Sequence, residues 1–253
     1  MARRDELIAF LDGLLDSPGR ADYGPNGLQV PGAEEVDLVV TGVSAHRELF
    51  ERAAAAGAQL VLCHHGIFWG DTLGPVTEQL KARLKLLFGN DMSLAAYHLP
   101  LDAHPEIGNN ALIRDGLGFD PSPEPFGLAR DRPIGVVGRS AEGVGADGLV
   151  ERVRTLTERD PLVFAAGPDP VHSIGIASGA GASMVHEAVS LGLDVLLTGE
   201  PAEHVMADAR EGGLHFIAAG HYATETFGVR RLGELVAERF DVAHEFIAVP
   251  NPV

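Results

Sequence analysis

Hydrophobic positions along the chain switch between two periods, and the switching predicts the order of elements. Residues 5–16 place Leu7, Ile8, Leu11, Leu14 and Leu15 on one helical stripe, which Ser17-Pro18-Gly19 ends. After a loop over 22–30, short apolar runs at 38–42, 59–63 and 93–97 are separated by helical patterns at 47–56 and 76–88. The same order returns in the second half, with strands over 173–177, 194–198 and 214–218 and helices over 183–191 and 202–210. A long amphipathic helix over 224–240 and a short strand over 243–249 follow. This succession predicts an α/β fold of two similar lobes, each a parallel-type sheet with flanking helices. The Pro-rich stretch 119–125 reads as a junction built of turns, followed by a strand over 134–139, a helix over 147–158 and a strand over 162–166. The first lobe is therefore placed at 1–125 and the second at 126–253, the C-terminal helix and strand being free to pack back on the first.

Composition narrows the function classes. A chain of 253 residues buries roughly 70–75% of its unfolded surface, so it needs no disulfide, and its single cysteine allows none. Thirty-six acidic against 19 basic residues, a formal charge of -17, argue against a nucleic-acid binder, because the few Lys and Arg are scattered. No run approaches the ~20 apolar residues of a membrane helix. Arg3-Arg4 runs straight into Asp5-Glu6 without the apolar stretch of a secretory signal. The expectation is a cytoplasmic protein with no membrane contact.

Eleven histidines in so acidic a chain direct attention to cations. Ligand-type residues gather just after the second and third strands of each lobe: Cys63-His64-His65 and His98 to Asp102 in the first, Glu200 to His204 and His221 to Glu225 in the second. In open parallel sheets that is the end where ligands bind. Singly, each cluster has an ordinary explanation: a hydrogen-bonded His-His turn, a capping Asp102, a solvated His221 and Glu225 four residues apart on one helical face. Cys63 reads as a small core residue. Together, His64, His65, Asp102, His221 and Glu225 make three imidazoles and two carboxylates. That mixed set suits a pair of Zn, Mn, Fe, Co or Ni ions better than Ca or Mg. Five ligands over two ions leave open positions, where a water becomes acidic enough to act as a nucleophile.

The segments Asn26-Gly-Leu-Gln-Val30, Cys63-His-His-Gly-Ile-Phe-Trp69, His98-Leu-Pro-Leu-Asp102, Thr198-Gly-Glu200 with His204, and Gly220-His-Tyr-Ala-Thr-Glu225 resemble the Nif-three-like family, whose members are labelled GTP cyclohydrolase 1 type 2 homologues and include YbgI-type dinuclear metal-binding proteins. The resemblance covers nearly the whole chain and is to the short form of the family. It implies a dinuclear centre in the cleft between two lobes, with the same five ligands. His98, Glu200 and His204 would stand around it as catalytic groups that move protons. It also implies a homohexamer built as a trimer of dimers, with sites facing an internal cavity. The activity it implies is metal-dependent hydrolysis of a nucleotide or related small molecule; the sequence itself contains no P-loop and no Arg or Lys cluster beside the four ligand-type clusters. The competing reading is a non-catalytic metal-binding regulatory or scaffold protein that works through its ring.

Overall fold

In the computed structural model, which describes residues 1–70, 74–130 and 132–253, the periodic runs become strands and helices in the expected order. They group into two compact units, Met1–Leu101 with Gly228–Val249, and Asp102–Phe227 with Pro250–Val253. The second unit thus begins ahead of the Pro-rich stretch, and most of the last helix and the last strand belong to the first.

The first unit runs β1 (Ala2–Arg3), α1 (Arg4–Leu15), β2 (Gly27–Val30), β3 (Glu35–Val36), β4 (Leu38–Ser44), α2 (Arg47–Ala56), β5 (Leu60–His65), α3 (Glu78–Gly89), β6 (Ser93–Ala96) and, reaching the boundary, α4 (Leu99–Asp102). β1 and β3 form a small antiparallel pair. The main sheet is ordered Ala243–Phe246, β4, β5, β6, β2. Its first four strands are parallel, and β2 closes the edge antiparallel to β6. Val39, Val40, Leu60, Val61 and Leu62 are all buried, as in strands covered by helices on both faces. α2 starts where the His46 side chain accepts the Leu49 N–H and stops at Gly57, whose φ of 77° reverses the chain. α3 is capped by Thr77, whose hydroxyl accepts the Leu80 N–H. Leu49, Phe50 and Ala53 of α2 bury their stripe with Val40, Val61, Leu87 and Met92.

The second unit contains α5 (Asn109–Leu117), β7 (Asp120–Ala129), β8 (Arg132–Val144), α6 (Ala146–Thr157), β9 (Leu162–Phe164), β10 (Val171–Ala177), α7 (Val185–Ser190), β11 (Val195–Thr198), α8 (Val205–Gly212), β12 (His215–Ala218) and α9 (His221–Thr224). α10 (Thr226–Phe240) and β13 (Ala243–Phe246) then complete the chain's regular elements. The sheet order is β7-β8-β10-β11-β12-β9. Only β10, β11 and β12 are mutually parallel, and β7, β8 and β9 run antiparallel to their neighbours. Both sheets are therefore mixed, with a parallel centre.

The Pro-rich stretch is a strand, not a string of turns. Proline cannot donate to a ladder, so it is tolerated at a sheet edge, and β7 is an edge. Its register with β8 shifts between Ser122 and Phe126, the interval that holds Pro123 and Pro125. The helix expected over 224–240 is also interrupted: Glu225, at φ -113° and ψ 9°, separates α9 from α10. Among the described residues no helix is long and apolar enough to cross a membrane.

Candidate metal centre

In the first unit His64 and His65 are the last two residues of β5, inside the strand rather than beyond it. Successive strand residues start toward opposite faces. Here the two rings nevertheless converge, with centroids 4.7 Å apart, and His98 stands 5.0 and 5.5 Å from them. Ligand atoms of all three histidines lie within 4.8 Å of one another and could hold a metal ion.

Hydrogen bonds aim these rings. His64 is buried, with Nδ1 3.0 Å from the Tyr97 carbonyl oxygen. A carbonyl only accepts, so Nδ1 carries the proton and, in the neutral ring, Nε2 keeps the lone pair a cation needs. His98 is turned the same way by Asp22, whose Oδ1 is 2.7 Å from Nδ1. Asp22 also accepts from Asn26 Nδ2 and the N–H groups of Tyr23 and Leu99, at 2.9, 2.6 and 2.9 Å. Burial pushes the Asp22 carboxyl up, but His98 and these bonds outweigh it and hold it below the usual carboxylate range. His65 Nδ1 lies 3.0 Å from the Ser44 hydroxyl, across from it on β4.

The second unit supplies buried carboxylates. Asp102, 3% exposed, closes α4 and accepts from Asn109 Nδ2 at 2.8 Å and Ser178 Oγ at 3.1 Å. Asn110 Oδ1 accepts the Ser178 N–H at 2.7 Å, which ties the turn after β10 to the start of α5. His221 opens α9 directly after β12. Its Nδ1 is 2.5 Å from Glu200 Oε1, and its Nε2 is 3.2 Å from Oε1 of Glu225, which is 2% exposed. Gly179, in the turn after β10, presses on both: a Cβ there would sit 2.3 Å from Glu225 Oε1 and 3.0 Å from His221 Nε2. Its carbonyl accepts the N–H groups of Gly199 and Glu200, each at 2.9 Å, joining the turns that follow β10 and β11.

Between two carboxylates His221 becomes a strong base. Burial works against its charge, but Glu225 and Glu200 outweigh burial and raise its pKa to about 9. Without a cation it is an imidazolium at neutral pH, and a metal at Nε2 must displace that proton. The folded pKa lies above the unfolded value of about 6.5, so this stabilisation is complete below that pH and is lost as pH rises through about 9. The effect is at most about 3 kcal/mol, lessened by the ring's 27% exposure. Chelator-stripped protein is expected to melt several degrees lower at pH 9.5 than at pH 6.5, and His221→Gln to flatten that slope. An equal slope in wild type and variant would contradict the assignment.

Of the residues read from sequence, His64, His65 and His98 come together in one unit, and Glu200, His221 and Glu225 in the other. His204 does not join its neighbours: its side chain is 54% exposed and its Nδ1 bonds Asp208 at 2.7 Å. Cys63 is fully buried in the core, and burial pushes its thiol well up, the reverse of a ready thiolate. Asp22, Asn109, Ser178 and Gly179 escaped the sequence reading. Asn109 acts on Asp102 from seven positions away, and the others act through hydrogen bonds and close approach to residues 42–76 positions away, which no local spacing signals.

Fold and donor clusters together define an α/β protein with buried His, Asp and Glu groups that could bind metal. The Duf34/NIF3 (NGG1p interacting factor 3) family matches residues 2–252, and the chain belongs to that family. It is 42% identical over 246 residues, 97% of either chain, to a Pseudomonas aeruginosa protein named GTP cyclohydrolase 1 type 2 homolog. To the Escherichia coli protein of the same name it is 39% identical over 251 residues, 99% of either chain. Its structure is similar to that of protein ybgI, described as of unknown function, with a TM-score of 0.92, 38% identity and both chains fully covered.

Proposed function

We propose that the protein is a metal-dependent hydrolase of a nucleotide or related small molecule, with two divalent cations held by His64, His65, Asp102, His221 and Glu225. The observation that carries this is the donor set: a buried His64 with its Nδ1 proton fixed on Tyr97, a second imidazole beside it, and carboxylates at Asp102 and Glu225 only 3% and 2% exposed. Imidazole and carboxylate in that proportion suit Zn, Mn, Fe, Co or Ni. Such ions, when bound, acidify water and polarise a substrate oxygen.

The chain's own groups would do the rest. Glu200 orients His221 through Nδ1 and accepts its proton. His98, held by Asp22, presents Nε2 to give or take a proton at the leaving group. His204, paired to Asp208 at the surface, is left without a part. The nucleotide class is supported by the name that relatives at 42% and 39% identity carry. The family resemblance also supports a homohexamer, a trimer of dimers, which light scattering tests. A monomer in solution would remove that part of the reading.

The deciding experiment is to strip the protein with chelator, reload it with Mn or Zn, and screen nucleotides, phosphoesters and cyclic amides. Elemental analysis is expected to find about two ions per chain. Turnover is expected to require them and to fall by about 100-fold or more in His65→Ala. Metal binding without turnover on any of these would replace the hydrolase with a non-catalytic metal-binding protein.

A further inference from the structure

Trp69 is the chain's only tryptophan, and 47% of it is exposed. An indole has a large apolar face, and this one is half open at a position beside the candidate metal ligands. It is held firmly. Its Nε1–H donates to the Gly66 carbonyl at 3.1 Å. Gln29 of β2 pins the same loop, taking the Ile67 N–H on Oε1 at 2.9 Å and donating from Nε2 to the Pro25 carbonyl at 2.8 Å. The Gly70 N–H donates to the Tyr23 carbonyl at 2.6 Å. The packing leaves no slack: a Cβ on Gly66 would lie 2.2 Å from Gln29 Nε2, and one on Gly24 would lie 2.5 Å from the Phe68 carbonyl oxygen.

This hydrogen-bonded ring borders the histidines. Its centroid is 5.7 Å from that of His65 and 5.2 Å from that of His98, the latter at an interplanar angle of 81°. Tyr23, also exposed, flanks His98 from 6.2 Å. Part of the indole is thus packed against two imidazoles, and the rest is open to solvent beside them.

We infer that Trp69 is a stacking platform that binds a planar heteroaromatic ring, of purine, pyrimidine or pterin type, beside the His64, His65 and His98 cluster. The inference rests on the proposed function only in taking that ring to belong to the molecule acted on. An indole face attracts any flat π system with little regard to its substituents, whereas an aliphatic ligand gains far less from it. Gln29 and Gly66 keep the face in place before the ligand arrives, so little ordering is lost on binding.

Because the tryptophan is single, its fluorescence reports on this position alone. Zinc-loaded protein is titrated with guanosine and adenosine 5′-monophosphates, and with ribose 5-phosphate as the ringless control. Both nucleotides are expected to quench saturably, and ribose 5-phosphate is not. By calorimetry Trp69→Leu is expected to weaken nucleotide binding about 10-fold and leave ribose 5-phosphate unaffected, while Trp69→Phe keeps affinity within about 3-fold. Absence of saturable nucleotide binding, or equal nucleotide affinity in Trp69→Leu, would overturn the assignment. So would a Trp69→Leu protein altered only in molar mass by light scattering, which would make the indole a subunit contact. The readout needs no turnover: binding without hydrolysis would sink the hydrolase and spare the platform, and turnover with unchanged KM in Trp69→Leu would do the reverse.

Discussion

Glu225→Ala is expected to lose the bound metal outright, with retention after dialysis falling by more than the 10–100-fold typical of a partner outside the coordination shell. Glu225 sits at the break between α9 and α10, 2% exposed, with Oε1 3.2 Å from His221 Nε2. A carboxylate so placed must be matched by positive charge. In the metal-free protein the imidazolium of His221 provides it, and in the loaded protein the proposed cation would. Removing Glu225 takes away a proposed ligand and also one of the two carboxylates that raise the His221 pKa, so that value is expected to move back toward 6.5. Because Glu200 still holds Nδ1, the ring is expected to stay oriented and the fold to survive. Elemental analysis and melting curves on Glu225→Ala and Glu225→Gln measure both effects. Wild-type metal content in the alanine variant would remove Glu225 from the ligand set.

Gly179→Ala is expected to be nearly as damaging, and Gly192→Ala much less so. Both glycines have left-handed backbone, with φ of 62° and 64°, so each alanine bears the same conformational cost of roughly 1–2 kcal/mol. Around Gly192 nothing lies within 4 Å of an added Cβ. At Gly179 the new methyl would sit 2.3 Å from the Glu225 carboxylate, forcing it or the turn to move. That turn also accepts the Gly199 and Glu200 N–H groups, so displacement spreads to Glu200 and His221. The expected outcome is a modest loss of melting temperature in both variants and a loss of metal retention of about 10–100-fold confined to Gly179→Ala. Equal behaviour of the two would show that the turn does not set the carboxylate.

Much of the fold was legible because periodicity is local. The apolar runs at 38–42, 59–63, 173–177 and 194–198 are strands, and the stripe on residues 5–16 is a helix, because an element that must bury one face announces its period. Residues 119–125 were misread for an equally physical reason. Proline is a turn former by its own φ and an edge-strand former when a partner lies on one side only, and β8 is what decides. Glu225 likewise fits the helical period of its neighbours, and its departure from helical geometry depends on its surroundings.

The site divides the same way. Residue type and position relative to the strands singled out His64, His65, His98, Asp102, Glu200, His204, His221 and Glu225, because chemistry needs donor atoms and a parallel sheet presents them at one end. The sequence by itself determined the α/β class, the family and that short roster of donors. Only the tertiary structure decided which donors are aimed: Tyr97 and Asp22 turn His64 and His98, Asn109 and Ser178 grip Asp102, and Gly179 clears space for Glu225. It also left His204 half-exposed and paired to Asp208. Apart from Asn109–Asp102 and His204–Asp208, these contacts join residues 33–76 positions apart, made by packing and hydrogen bonds whose energy depends on distance in space rather than on spacing in sequence.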